Sequence, residues 1–177
     1  MIDLFRRKPQ RNDERPSFRF YPGAYEEGGP LKASNRTCDC CGKPCVWEYI
    51  GNIYGQGEAV VCAGCIAAGN LGTVFPKGYS LHDIELEQTV PDALSDELLG
   101  RTPGVACYNP FNWPVSGGAP MVFVGYGEAL AKDPEAIAAT QAAFNALGWD
   151  DAAAPSSYAL LFRPLHGGAM RAVIDLD

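Results

Sequence analysis

The last third of the chain carries the clearest pattern of apolar positions. Residues 121–126 are apolar throughout and few in number, as expected of a buried strand. Residues 133–135, Asp-Pro-Glu, supply an N-cap, a proline at the first helical position and a first-turn acid. One face of the following segment then repeats at helical spacing, with Ile137, Thr140, Phe144 and Leu147. This pattern predicts a strand followed by a helix that ends at Gly148.

Three further segments have the composition of strands. Residues 158–163 and 171–175 are rich in apolar and β-branched side chains and flank Gly167 and Gly168, so we expect them to pair around a turn. Near the N-terminus, residues 18–21 predict an edge strand that Pro22 ends. Strands and helices do not alternate regularly along the chain, so the predicted class is α+β.

Six of the seven cysteines lie within residues 38–65, and their spacing is that of a four-cysteine metal site. The spacing is Cys38-x-x-Cys41, then twenty residues, then Cys62-x-x-Cys65. Zinc prefers four soft ligands in a tetrahedron, and a two-residue gap lets one tight turn present both sulfurs. We therefore predict one structural Zn²⁺ per chain, bound by these four cysteines.

The segments around the cysteines predict a knuckle, a hairpin and a short helix. Residues 46–53 and 59–62 are β-rich, and a helix starting near Cys62 would end at Gly69 or Gly72. This order is the treble-clef, or zinc-ribbon-like, arrangement. Pairings that use the two spare thiols stay open from spacing alone: Cys38 with Cys40, or Cys41 with Cys45.

Composition restricts the partner classes. The net charge is −7, and the basic residues are concentrated in residues 1–17, which predict a flexible basic tail on an acidic body. An acidic body argues against binding to nucleic-acid phosphates.

Residues 1–5 are followed by charge rather than an apolar core, so no signal peptide is recognised. The cysteine spacing fits a metal better than disulfides, and we expect a cytoplasmic protein without a membrane span.

Few residues offer catalytic chemistry. The chain has two histidines: His82, expected in a surface loop beside Asp83, and His166, expected in a turn. Cys107 has no base beside it in the sequence, so a catalytic role is not expected. An enzyme would need a pocket lined by groups such as Cys107, His166 or Glu128. Four cysteines also close the metal's coordination, which excludes a site open to substrate.

An acidic stretch, residues 78–100, carries six carboxylates and no Lys or Arg: Asp83, Glu85, Glu87, Asp92, Asp96 and Glu97. The simpler interpretation is a solvated face with a short helix near residues 92–99. The alternative is a docking surface for a basic partner.

Five motifs, in order, resemble the CbrC family of small bacterial proteins. They are residues 18–22, the Cys38-x-Cys40-Cys41-Gly42-Lys43 knuckle, the Cys62-x-x-Cys65-Ile66-Ala67-x-Gly69 segment, residues 101–104 and residues 123–126. The resemblance implies a bacterial, metal-binding protein, with one family member linked to colicin tolerance. It also implies a second Cys/His group in relatives. Ser116, Gly117 and residues 164–168 stand at those positions here and lack the cysteines.

The sequence therefore predicts one CbrC-like domain over residues 18–177. A cysteine module (about residues 33–75) is joined to a strand-helix-strand part (about residues 118–177) with one clear C-terminal helix. The predicted function is binding another protein, in colicin, bacteriocin or toxin tolerance. Two alternatives are an immunity-type inhibitor that covers a basic toxin with its acidic surface, and an enzyme of unknown reaction.

Overall fold

The computed structural model describes residues 15–55, 57–149, 153–154 and 156–175. The predicted basic tail, residues 1–17, lies outside these residues except for its last three. Of those, Arg15 lies over the ring of Trp47, with the guanidinium carbon 4.2 Å from the ring centroid. This cation–π contact places the start of the described chain against the cysteine module.

The described residues form eleven short strands, three α-helices and one 3₁₀ helix. The strands are β1 (Leu31–Ala33), β2 (Trp47–Tyr49), β3 (Tyr54–Gly55), β4 (Tyr79–Ser80), β5 (Ile84–Leu86), β6 (Phe111–Trp113), β7 (Val115–Ser116), β8 (Ala119–Pro120), β9 (Val122–Tyr126), β10 (Ala159–Arg163) and β11 (Arg171–Ile174). The helices are α1 (Ala63–Ala67), α2 (Asp92–Arg101) and α3 (Pro134–Ala146), and the 3₁₀ helix covers Asn70–Thr73. The expected mixture of helices and small sheets is confirmed. None of the helices in the described ranges is long and apolar enough to cross a membrane.

The largest sheet is antiparallel and has the strand order β11-β10-β9. The other strands form pairs: β1–β2, β3–β4 and β7–β8 are antiparallel, whereas β5–β6 is parallel. The predicted pairing around Gly167 and Gly168 is confirmed, with Leu160 opposite Val173. Both glycines have positive φ, which the turn between β10 and β11 requires.

Helix α3 begins as the sequence indicates. The Oδ1 atom of Asp133 accepts hydrogen bonds from the backbone N–H groups of Glu135 and Ala136, at 2.9 and 3.4 Å. The buried face differs slightly from the expected one. It consists of Ala136, Thr140 and Phe144, while Leu147, just past the helix, is exposed.

Successive side chains of a strand point in opposite directions. Consecutive residues of β10 are buried, so both of its faces are covered. Leu160 and Phe162 join the main apolar cluster, which continues into the cysteine module and includes Cys38 and Cys65. Leu161 joins a second, smaller cluster beside α3 that contains Ala136, Met170 and Ala172. Strand β10 therefore connects the packing of the two regions.

One strand prediction is wrong and another is confirmed only in part. Residues 18–21 form a turn, in which the N–H of Tyr21 donates to the carbonyl of Phe18 at 3.2 Å. Phe18 and Phe20 are nevertheless both buried. Residues 59–62 form no regular strand, but they lie antiparallel to β2 through one isolated bridge between Glu48 and Cys62. The carbonyl of Val61 accepts from the N–H of Tyr49 in β2, as a hairpin requires, whereas the carbonyl of Val60 accepts from the N–H of Asp39.

Candidate metal centre

The first pair of cysteines lies on a tight turn. The N–H of Gly42 donates to the carbonyl of Cys38, and the N–H of Cys38 donates to the carbonyl of Lys43, both at 2.8 Å. Gly42 has a φ of +67°, a conformation that other residues rarely adopt. The turn places Cys38 and Cys41 together, with Cys38 buried and Cys41 exposed.

The second pair lies at the start of α1. Cys62 is the N-cap residue, and the N–H of Cys65 donates to its carbonyl at 3.0 Å. The two pairs are tied together by Asp39, whose Oδ2 accepts from the N–H of Val60 at 2.7 Å. In addition, the N–H of Cys62 donates to the Sγ of Cys38 at 3.3 Å.

All four sulfurs of Cys38, Cys41, Cys62 and Cys65 lie within 4.8 Å of one another. The Sγ atoms of Cys38 and Cys65 are 3.8 Å apart, and those of Cys41 and Cys62 are 3.9 Å apart. These distances are too long for disulfides, whose sulfurs are about 2 Å apart. A tetrahedron with zinc–sulfur bonds of about 2.3 Å has sulfurs about 3.8 Å apart. The donor set and its spacing therefore fit a bound metal ion such as zinc.

The surroundings of the thiols shift their pKa values in different directions. Burial opposes ionisation of Cys38, but the backbone N–H groups of Cys41, Cys62 and Cys40 outweigh it and lower the pKa of Cys38 to about 7. Burial raises the pKa of Cys62 and of Cys65. Four thiolates this close together need a cation to offset their repulsion and desolvation.

The two spare thiols lie outside the four-sulfur group. Cys40 is half-buried, and burial followed by the nearby Cys38 raises its pKa to about 11. Cys45 is fully buried in the main apolar cluster, where burial raises its pKa to about 12. The geometry brings together the sulfurs of Cys38, Cys41, Cys62 and Cys65, and not the alternatives that use Cys40 or Cys45. Metal binding by these four residues stays a prediction.

His82 does not lie in a surface loop. The side chain is 4% exposed, its Nε2 is 3.1 Å from the carbonyl of Thr102, and its ring meets Trp113 edge-on at 5.3 Å. The apolar neighbours at positions 81 and 84 were the signal for burial that the surface prediction overlooked. Burial lowers the pKa of His82 to about 4, so the ring is neutral at neutral pH.

The residues proposed for an enzyme do not form a catalytic group. Cys107 lines a cavity whose wall contains neither His166 nor Glu128. Burial, followed by the carboxylates of Asp175 and Asp83, raises the pKa of Cys107, whereas a nucleophilic thiolate needs a lowered one. Sequence reasoning missed this cavity, because its wall comes from several segments spread between residues 21 and 126.

The acidic stretch is partly neutralised within the protein. Glu87 makes two hydrogen bonds of 2.7 Å with the guanidinium of Arg171, and Glu97 lies 3.3 Å from Arg19. Helix α2 extends from Asp92 to Arg101, two residues beyond the predicted end. Two of the six carboxylates therefore already have basic partners.

Comparisons with known proteins place the chain in a family. The model of an uncharacterised protein family, UPF0167, matches residues 15–176. A relative from Pseudomonas aeruginosa, "UPF0167 protein PA1536", is 31% identical over 107 residues, which cover 59% of each chain. The relatives "UPF0167 protein Mb2317" of Mycobacterium bovis and "UPF0167 protein MT2352" of Mycobacterium tuberculosis are each 26% identical over 138 residues. These residues cover 76% of this chain and 73% of each relative.

No solved structure matches the chain. The match with the Pseudomonas protein spans about three fifths of that protein's length. The names of the three relatives state no activity. Since the family model covers all of the described residues, the chain belongs to the uncharacterised protein family UPF0167.

Proposed function

We propose that this protein is a zinc-stabilised binding protein and not an enzyme. The observation that carries the proposal is the four-sulfur group of Cys38, Cys41, Cys62 and Cys65, all within 4.8 Å of one another. Four protein ligands complete a tetrahedron and leave no position for a substrate. Zinc bound there would supply folding free energy, on the order of 10 kcal/mol at neutral pH.

Two finer assignments go with this proposal. A knuckle at Cys38 and Cys41, followed by a helix whose N-cap and first turn carry Cys62 and Cys65, supports a treble-clef module. The CbrC-like motifs all lie within residues 15–176, which supports treating the CbrC resemblance and the UPF0167 membership as one family.

The partner that we propose is another protein. Tyr108 and Tyr158 are 70% and 46% exposed, and their ring centroids lie 6.1 Å apart. Exposed aromatic pairs are typical of the centre of protein–protein interfaces. The immunity-type alternative receives less support, because Glu87 and Glu97 already bond to basic residues. The proposal of a role in colicin or toxin tolerance is supported by the sequence resemblance alone.

The metal assignment is tested with two adjacent cysteines. Cys41→Ser should reduce the zinc content from about one per chain and destabilise the protein, since it removes one of four ligands. The exposed position of Cys41 means that little packing is lost with the sulfur. Metal analysis by mass spectrometry and thermal unfolding measure the two effects.

Cys40→Ser is the matched control, because Cys40 is the next residue and lies outside the four-sulfur group. It should keep about one zinc per chain. Equal metal loss in both variants would contradict the ligand assignment. Purified protein without zinc would contradict the proposal as a whole.

The partner proposal is tested by replacing both exposed tyrosines. The double variant Tyr108→Ser with Tyr158→Ser should keep its melting temperature and zinc content but lose a specific protein that the wild type captures from its native host. Capture that is unchanged in the double variant would exclude this surface as the interface.

A further inference from the structure

A cavity of about 250 Å³ lies where the cysteine module meets the strand-helix-strand part. Tyr49 comes from the cysteine module and Tyr126 from the strand-helix-strand part. The wall as a whole is formed by Tyr21, residues 28–30, residues 49–52, Tyr54, Leu81, residues 104–107 and Tyr126. The cavity is separate from the four-sulfur group, and no residue of its wall is one of the four cysteines.

The aromatic part of the wall is held in place by hydrogen bonds. The hydroxyl of Tyr49 accepts from the N–H of Gly104 at 3.1 Å and donates to the carbonyl of Asn52 at 2.9 Å. The hydroxyl of Tyr126 donates to the carbonyl of Ala106 at 2.9 Å. These bonds fix the two rings before any ligand arrives, which reduces the entropy lost on binding.

Glycine residues bring the backbone close to Tyr49. A Cβ atom added at Gly51 would lie 2.6 Å from the Cζ and hydroxyl of Tyr49, and one added at Gly104 would lie 2.6 Å from the same hydroxyl. Neither position therefore accepts a side chain without displacing the ring. The cavity has a built shape rather than being a gap between loosely packed side chains.

No residue that forms the wall carries a charge at neutral pH. Burial raises the pKa of Tyr126 to about 12 and also raises the pKa values of Tyr21 and Tyr49. The charged groups that act on the wall are carboxylates: Glu26 raises the pKa of Tyr21, and Asp175 that of Tyr126. An anion would therefore meet negative surroundings without a cation to pair with.

Within the described residues, three polar side chains of the wall have free hydrogen-bonding capacity: the hydroxyls of Tyr21 and Tyr54 and the carboxamide of Asn52, which is an exposed residue. The carboxamide of Asn52 makes no hydrogen bond to any other residue in the described part of the chain, so both a donor and an acceptor are available. Pockets lined by aromatic rings with few polar groups typically bind small organic molecules.

We propose that this cavity binds a small, planar, uncharged molecule with an amide-type group. Its ring would lie against the tyrosines, and its amide would bond to Asn52. This site goes beyond the proposed function and does not depend on the identity of the metal or of the protein partner.

Two probes of the same shape test the charge preference. Benzamide and benzoate are titrated into metal-loaded, full-length protein while backbone amide resonances are recorded. Benzamide should bind saturably in the millimolar range and shift the resonances of residues 50–52 and 104–107. Benzoate should bind at least tenfold more weakly. Benzamide binding that never saturates, or equal binding of the two probes, would overturn the proposal.

The location is tested by filling the cavity. Ala106 is exposed and lines the wall, so Ala106→Leu should weaken benzamide binding at least tenfold without disturbing the core. Ala129→Leu is the matched control, since Ala129 is exposed and lies outside the wall. Thermal unfolding verifies that both variants fold. Unchanged binding to Ala106→Leu would overturn the location.

The role of the amide is tested in the same way. Asn52→Ala should weaken benzamide binding about tenfold, whereas Asn35→Ala, an exposed asparagine outside the wall, should not change it. Equal affinities in these two variants would exclude Asn52 as the polar anchor and overturn the proposed ligand class.

Discussion

The cysteine module and the strand-helix-strand part are built in different ways. Strands β1, β2 and β3 of the first region have two or three residues, and α1 has five. In the second region β9 and β10 have five residues each, and α3 has thirteen. Isolated helices shorter than about twelve residues are marginal in water. The first region therefore depends on something other than regular secondary structure.

The two regions also bury different chemistry. The second cluster, beside α3, contains Leu161, Met170 and Ala172 and consists of apolar side chains. The module instead buries Cys38 and Cys65, whose sulfurs face two more cysteines. Apolar contacts stabilise a fold with no ligand present, whereas four convergent sulfurs stabilise it only once a cation is bound. The comparison teaches that neighbouring regions of one chain can have different conditions for folding.

Metal removal should give the largest difference in stability between the two regions. A structural zinc site contributes on the order of 10 kcal/mol, which is comparable to the whole stability of a domain, about 5–15 kcal/mol. Chelation should therefore remove amide protection from residues 38–75 first. Helix α3 and the β10–β11 pairing should keep protection longer, because Leu161 and the α3 face pack independently of the sulfurs. Hydrogen exchange measured with and without chelator checks this.

The shared main cluster sharpens that expectation. Leu160 and Phe162 pack in the same cluster as Cys38 and Cys65. Chelation should therefore also loosen this face of β10, in contrast to the face that carries Leu161. Uniform protection after verified metal loss would contradict the proposed dependence of the module on metal.

Local signals explain which parts of the fold were predictable. The N-cap at Asp133 and the glycine turn at Gly167 and Gly168 act within a few residues, and both predictions are confirmed. Ligand spacing also acts locally, because Cys38 and Cys41 share one turn. The parallel pairing of β5 with β6 joins segments about 27 residues apart, and no local pattern indicates it.

The same reasoning explains the errors. Residues 18–21 have strand-like composition, but packing against the main cluster bends them into a turn. His82 has a polar side chain beside Asp83, and only the tertiary fold shows that Thr102 and Trp113 surround it. The wall of the tyrosine-lined cavity combines several segments between residues 21 and 126, so spacing within one segment cannot reveal it.

The smaller expected effect concerns His82, which follows the cysteine module in the sequence and packs against Trp113 of β6. The folded-state pKa of His82 is lowered to about 4, while an unfolded histidine has a pKa of about 6.5. As the pH falls, the unfolded state takes up the proton first. The contribution of neutral His82 to the free energy of unfolding is therefore fully present above about pH 7. It is lost as the pH falls from about 6.5 towards 4. Between pH 7 and pH 5 the loss should be about 2 kcal/mol of unfolding free energy.

Comparison with a non-titrating variant isolates this contribution from protonation of the proposed metal ligands, which affects both proteins alike. His82→Gln keeps an N–H donor for the carbonyl of Thr102 but does not titrate, so its unfolding free energy should fall less between pH 7 and pH 5. His166→Gln is the matched control, because His166 is exposed, and it should keep the wild-type pH dependence. Urea unfolding at both pH values measures the difference. If His82→Gln loses as much stability as the wild type, burial of His82 does not couple its protonation to the stability of the fold.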